Sequence, residues 1–286
     1  MNRLMRNSIL FLLVITCLLG TYAQSTPDSV PKDPILLVPI DTSGNIGYNS
    51  ESVILPTGKY TYESSNGVLK KYDQNGKLLF SQSIKSLGQT KQLEAINAMK
   101  LVHFSEEQQS VCFFDNTLTQ SQDCIDLGER GFLNVTRIAT SAQPDKIWVL
   151  DQVNSRLVLM PFQGETQRQE ISNLRGILEI DSIQQIIEAN NQLFVLDRNK
   201  GIHAFDMYGT LLGVHHYNSI RDFAVTERYL LILLDNDVLL AYERITDVNN
   251  LIYMPLKGVT EMQFADNYLF LAHETGVHKF ALQFSN

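Results

Sequence analysis

From Pro34 onward the apolar residues come in short runs rich in Leu, Ile, Val, Phe and Tyr, broken by Asn, Asp and Gly. No stretch carries the period of a long amphipathic helix, so the pattern predicts strands and turns throughout. Aligning the chain on an apolar run that ends in a polar residue gives six matching segments, at residues 59–63, 101–105, 147–151, 193–197, 231–235 and 269–273. Their starts lie 42, 46, 46, 38 and 38 residues apart. Such a period, repeated six times, marks a repeat architecture.

The units share smaller parts. A second apolar run follows each aligned segment, at 68–72, 111–114, 157–160, 202–205, 238–242 and 277–280. Three units continue into a turn with Gly three residues after its first member: Asp73 with Gly76, Pro161 with Gly164, and Asp206 with Gly209. Asp or Pro opening such a turn and Gly in a left-handed position closing it predict a type I turn with a bulge between antiparallel strands. Another apolar stretch precedes each aligned segment, beginning at Ser52, Leu93, Val135, Ile183, Ile220 and Val259. Four strands per unit predict an all-β fold, a six-bladed β-propeller of four-stranded antiparallel blades, with residues 34–286 as one domain. The last unit has little chain left for an outer strand, whereas 35–40 is an apolar strand belonging to no unit. It is predicted to pair into the final blade and close the ring; the competing reading is an exposed linker strand.

Composition narrows the setting. The chain of 286 residues is 44% hydrophobic and 19% charged, enough to bury a core and unlike a disordered protein. Lys plus Arg number 23 against 31 Asp plus Glu, a formal charge of −8, with no basic run. Nucleic acid is therefore excluded as an expected partner. Arg3 and Arg6, the apolar run 9–19 and the small residues before Gln24 read as a secretory signal over residues 1–23, followed by a Pro-containing linker over 24–33. The run is shorter than the roughly 20 residues a bilayer span needs, so no stable membrane span is expected after cleavage. An uncleaved anchor is the alternative. Cys17 lacks a lipobox before it. Removal of 1–23 takes the formal charge from −8 to −10, and the expected product is exported, periplasmic or extracellular. In that compartment Cys112 and Cys124 can bridge. A tight turn at 115–118 would place Cys112 nearer Ser121 than Cys124, so two buried free thiols stay open beside the disulfide.

The stretch 148–164, with Asp151, Asn154, Arg156 and Gly164, resembles an NHL-type propeller repeat: an apolar run, Asp, a turn with Asn and Arg, a strand and a Gly turn. Residues 193–209 match more weakly, with Asp197 and Asn199 but no Arg, and the other four units keep only the spacing. The resemblance implies the propeller fold and selects no chemistry, because such propellers include scaffolds, lyases and lactonases.

Two sets of residues are candidates for chemistry. Glu63, Ser105, Asp151, Asp197, Asp235 and His273 end the aligned segments, where they either cap their own turns or gather around one face; the capping role is the expected one. The first strands of the blades would surround the central channel, and there Glu94, Arg137, Gln185, Arg221, Asp222 and Glu261 are the expected ligand-binding residues, with Glu188 and Gln263 beside them. A water-filled channel lined by polar side chains of no special role is the plain alternative. His203 and His278 occupy corresponding strand positions, and His215 and His216, as neighbours in a strand, point to opposite faces. No zinc spacing, nucleophile elbow, phosphate loop or dinucleotide fingerprint is present. The chain is thus expected to be a non-enzymatic scaffold of the cell envelope, without cofactor, that binds a protein, peptide or glycan. The alternative is a Ca2+-dependent hydrolase or lyase using Glu94, Glu261 and Asn97.

Overall fold

The computed structural model describes residues 35–40, 52–164 and 168–284, so the signal read over 1–23 and the linker over 24–33 lie outside the described residues. The first strand, β1 (Ile35–Pro39), stands apart in the chain from the rest. Blade 1 holds β2 (Val53–Thr57), β3 (Tyr60–Ser65), β4 (Val68–Tyr72) and β5 (Leu78–Ser83). Blade 2 holds β6 (Gln92–Asn97), β7 (Lys100–Ser105), β8 (Ser110–Asp115) and β9 (Ile125–Asp126). Blade 3 follows with β10 (Val135–Thr140), β11 (Lys146–Asp151), β12 (Arg156–Pro161) and β13 (Gln169–Ile171). Blade 4 has β14 (Ile183–Ala189), β15 (Gln192–Asp197), β16 (Gly201–Asp206) and β17 (Leu211–His215). Blade 5 has β18 (Ile220–Val225), β19 (Tyr229–Leu234), β20 (Leu239–Glu243) and β21 (Val248–Ile252). Blade 6 has β22 (Glu261–Ala265), β23 (Tyr268–His273) and β24 (Gly276–Phe284), and β1 completes it as the outer strand, Leu37 opposite Leu282 and Pro39 opposite Phe280.

Each blade's first strand lies beside that of the next, through to β22 beside β2, so the six sheets close a ring. Successive side chains on a strand point to opposite faces, and in a propeller each face meets a neighbouring blade. On β11, Ile147 and Val149 pack toward blade 2, while Trp148 and Leu150 pack toward blade 4. Five buried apolar clusters arise this way, one at each seam from blades 1/2 to blades 5/6. No such cluster spans blades 6 and 1 among the described residues. The reason lies in blade 1: Tyr62 and Leu69 join the cluster with blade 2, but the opposite face carries Glu63, Ser65, Lys70 and Tyr72. Glu63 accepts hydrogen bonds from Tyr72 Oη at 2.7 Å and Ser65 Oγ at 2.8 Å and pairs with Lys70 at 3.4 Å. Burial pushes its carboxyl up, but these bonds outweigh it and hold the group below its usual value.

The turns follow from their residues. Gly76 N–H bonds Asp73 O at 3.1 Å with Gly76 at φ 74°, and Gly209 repeats this with Asp206 at φ 91°. The same turn occurs at Asp115, where Leu118 takes the left-handed position at φ 63°. It explains the cysteines. The turn places Phe114 opposite Gln120, yet Val111 stands opposite Ile125, so two extra residues enter the second strand between these pairs. That shift brings Cys124 across from Cys112 with their Cα atoms 4.3 Å apart, and the two form a disulfide. Ser121, expected nearest Cys112, instead bonds the carbonyl of Phe113 through its N–H.

Candidate functional site

The aligned strand ends turn out to be structural, and two sit out of phase. Asp151, fully buried, accepts from Asn154 Nδ2 at 2.7 Å and pairs with Arg156 at 3.1 Å, which accounts for the Asp, Asn and Arg of the NHL-like stretch. Asp197 accepts the N–H groups of Asn199 and Glu179. Glu63 lies inside β3 because a two-residue hairpin, Asn66 and Gly67 at φ 52° and 69°, carries the strand on to Ser65. Asp235 lies one residue past the end of β19. His203 and His278 do hold corresponding places, opposite Val195 and Leu271.

The channel forms a cavity among the described residues. It measures about 670 Å³, and all six residues expected from the sequence line it. A β-bulge in each of β10, β14 and β18 doubles a residue against one partner, at Thr136, Gln184 and Arg221.

Their hydrogen bonds divide the six. Gln92 of blade 2 makes a two-point contact with the backbone of Ile138 in blade 3, accepting its N–H at 2.9 Å and donating to its carbonyl at 3.2 Å. Arg137 of blade 3 donates from Nε to Gln184 O of blade 4 at 2.7 Å and from Nη1 to Thr136 O at 2.6 Å. Burial pulls its guanidinium below the usual value. The amide of Gln185 in blade 4 lies beside the carboxyl of Asp222 in blade 5 and lowers its pKa. Asp222 in turn accepts Met262 N–H of blade 6 at 2.6 Å and Phe223 N–H at 2.8 Å. Burial lifts the Asp222 carboxyl to about 7 despite these bonds. Arg221 turns from the channel axis to Asp235 at 3.3 Å, Asp237 at 3.0 Å and the carbonyl of Val259. A belt of side chain contacts thus runs from blade 2 to blade 6 across four seams.

Glu94 and Glu261 stand outside that belt. Neither makes a hydrogen bond or ion pair among the described residues. Burial lifts the Glu94 carboxyl to about 8, and Glu261, though exposed, is also raised by the surrounding protein. The two come from blades 2 and 6, which flank blade 1, whose inner strand offers only Val53, Ile54, Leu55 and Pro56 to the cavity besides Ser52 before it. Glu188, also on the channel wall, clamps blade 3 instead, accepting Trp148 Nε1–H at 2.5 Å and Ala142 N–H at 3.0 Å. Asn97 is spent on its own hairpin, accepting Met99 N–H at 2.8 Å. Among the described residues no three His, Cys, Asp or Glu side chains are grouped so as to hold a metal ion.

Sequence reasoning missed Gln92 and its outer counterpart Gln109, whose amide spans the N–H and carbonyl of Val135 in blade 3 at 2.7 and 2.9 Å. It also missed Lys71, a buried cation 3.9 Å from the Tyr60 ring that donates to Asn116 O of blade 2 at 2.8 Å. A basic residue inside the alternating run 68–72 was the available signal for the last.

No protein-family model matches the sequence, and no curated protein matches it. Solved structures do. Streptogramin B lyase superposes with a TM-score of 0.55 at 8% identity, over 88% of this chain and 98% of that one. BamB from Moraxella catarrhalis gives 0.50 at 11%, over 85% and 97%. A chain of a nidogen/laminin complex gives 0.57 at 11%, over 76% and 86%. At these identities the likeness shows the propeller fold. No helix among the described residues is long and apolar enough to cross a membrane.

Proposed function

We propose that this protein is an exported, non-enzymatic propeller that recognises a protein, peptide or glycan of the cell envelope through the mouth of its channel. The observation that carries the reading is a cavity of about 670 Å³ whose polar wall is partly unpaired, in a chain whose sequence holds no nucleophile motif and whose described residues hold no metal-ligand group. Unpaired polar groups facing an open cavity are what a ligand completes. Export is supported by the reading of residues 1–23 and by the disulfide between Cys112 and Cys124, a bond that persists in oxidising compartments. Similar folds include a lyase and a member of a protein complex, so the fold leaves the choice to the site.

The test uses the tagged protein as bait in envelope extract beside Gln263→Trp, which fills the channel from a position lining it without a described partner. A component retained by the wild type and reduced at least tenfold with the filled channel is expected. Equal retention by both would overturn the reading.

A further inference from the structure

The division of the channel wall specifies the chemistry of what it holds. The guanidiniums of Arg137 and Arg221 and the amide of Gln92 are already bonded, so the wall from blade 2 round to blade 5 has spent these donors. What remains unpaired includes the carboxyls of Glu94 and Glu261, and Gln185 Oε1, which is buried and without a partner, beside the amides of Gln184 and Gln263. Of the other cations lining the cavity, Lys91 of blade 2 pairs with Glu106 at 2.8 Å, and Arg198 is exposed on blade 4 at the opposite wall. Blade 1, whose inner strand is apolar, stands between blades 6 and 2 in the ring; Glu261 lies on the face of β22 turned toward blade 1, and Glu94, opposite Val102 of the cluster between blades 2 and 3, on the face of β6 turned toward blade 3. A bare divalent ion needs several oxygens within about 2.6 Å of one point, and the acids are not so grouped. A longer cation can meet carboxyls that are set apart, and its chain can cover apolar wall.

We propose that the channel binds an organic cation, a primary ammonium or guanidinium on an aliphatic chain, that reaches from Glu261 of blade 6 to Glu94 of blade 2 past Ile54 and Leu55 of blade 1. This rests on the channel mouth being the binding surface. A basic side chain of a peptide and a free polyamine share this chemistry. With either bound, Glu94 and Glu261 gain the positive partner they lack, and charge-assisted bonds replace two uncompensated carboxyls.

The experiment titrates the protein, at low salt, with spermidine, with N-acetyl-lysine methylamide and with the neutral norleucine analogue, and repeats each titration with E94Q/E261Q. Both exchanges fall on carboxyls with no described partner, so the ring is expected to fold. Saturable binding of an amine, absent for norleucine and weakened at least tenfold in the double variant, is the expected result; which amine binds more tightly identifies the source. Equal binding to the double variant marks general attraction to a chain of charge −8 and overturns the proposal. So does the absence of saturation by either amine, or displacement of the amine by equimolar calcium chloride. If the amines fail while Gln263→Trp still abolishes capture, the cation assignment alone falls. If the amines bind and the extract yields nothing dependent on the channel, the partner reading alone falls.

Discussion

The channel wall has two sectors that look alike in composition and differ in what their charges do. From blade 3 to blade 5, Arg137, Gln185, Arg221 and Asp222 reach across to the next blade, and the seams they cross are backed by buried apolar clusters. From blade 6 through blade 1 to blade 2, Glu261 and Glu94 hold nothing, and the seam between blades 6 and 1 shows no apolar cluster among the described residues. A polar residue in a channel therefore says little until its partners are counted: the first sector uses charge to hold the ring, and the second leaves charge for something else.

The comparison breaks most severely where the weaker sector is closed. Deleting residues 35–40 strips blade 6 of its outer strand and of buried Ile35, and the melting temperature is expected to fall by more than about 10 °C. An unchanged calorimetric melt would mean that β1 does not hold the ring. Replacing Cys112 and Cys124 by Ala releases the twelve-residue loop of blade 2, with an expected loss of ~3 kcal/mol in urea unfolding under oxidising conditions. Gln92→Ala removes the two-point contact to blade 3 and leaves the N–H and carbonyl of Ile138 without it, an expected cost of about 1–2 kcal/mol.

The smallest effect has the opposite sign. Glu94 is lifted from 4.5 to about 8 in the folded protein, so the fold favours its protonated form. The associated stability is present in full below about pH 4.5 and is lost as pH rises through 8. Asp222, lifted from 3.8 to about 7, loses its share over a lower window. Glu94→Gln is expected to flatten the upper part of the stability-against-pH curve and to raise stability at pH 8.5 by ~1 kcal/mol. A curve that keeps its slope in the variant would place the titration elsewhere.

Much of this was legible in the chain because strand alternation and turn residues are local. Six blades, their four strands and the closing role of β1 follow from apolar runs and from turns such as Asp206 to Gly209. Phase was harder: a two-residue hairpin at Asn66 and Gly67 and the two extra residues before Cys124 move a register without changing the pattern around them. The channel residues were legible as polar positions on first strands, and all six line the cavity. Their division was not, because the partner of Arg137 is a backbone carbonyl 47 residues away and that of Asp222 an N–H 40 residues away, and a backbone atom leaves no mark on sequence.

The most direct test compares the two sectors in one experiment, urea unfolding of R137M/D222A and of E94Q/E261Q at pH 8. The first pair is expected to lose at least ~2 kcal/mol, as buried partners across two seams are left unpaired, and the second to be as stable as the wild type or more so. A loss in E94Q/E261Q equal to that in R137M/D222A would contradict the division, since Glu94 and Glu261 would then be holding the ring.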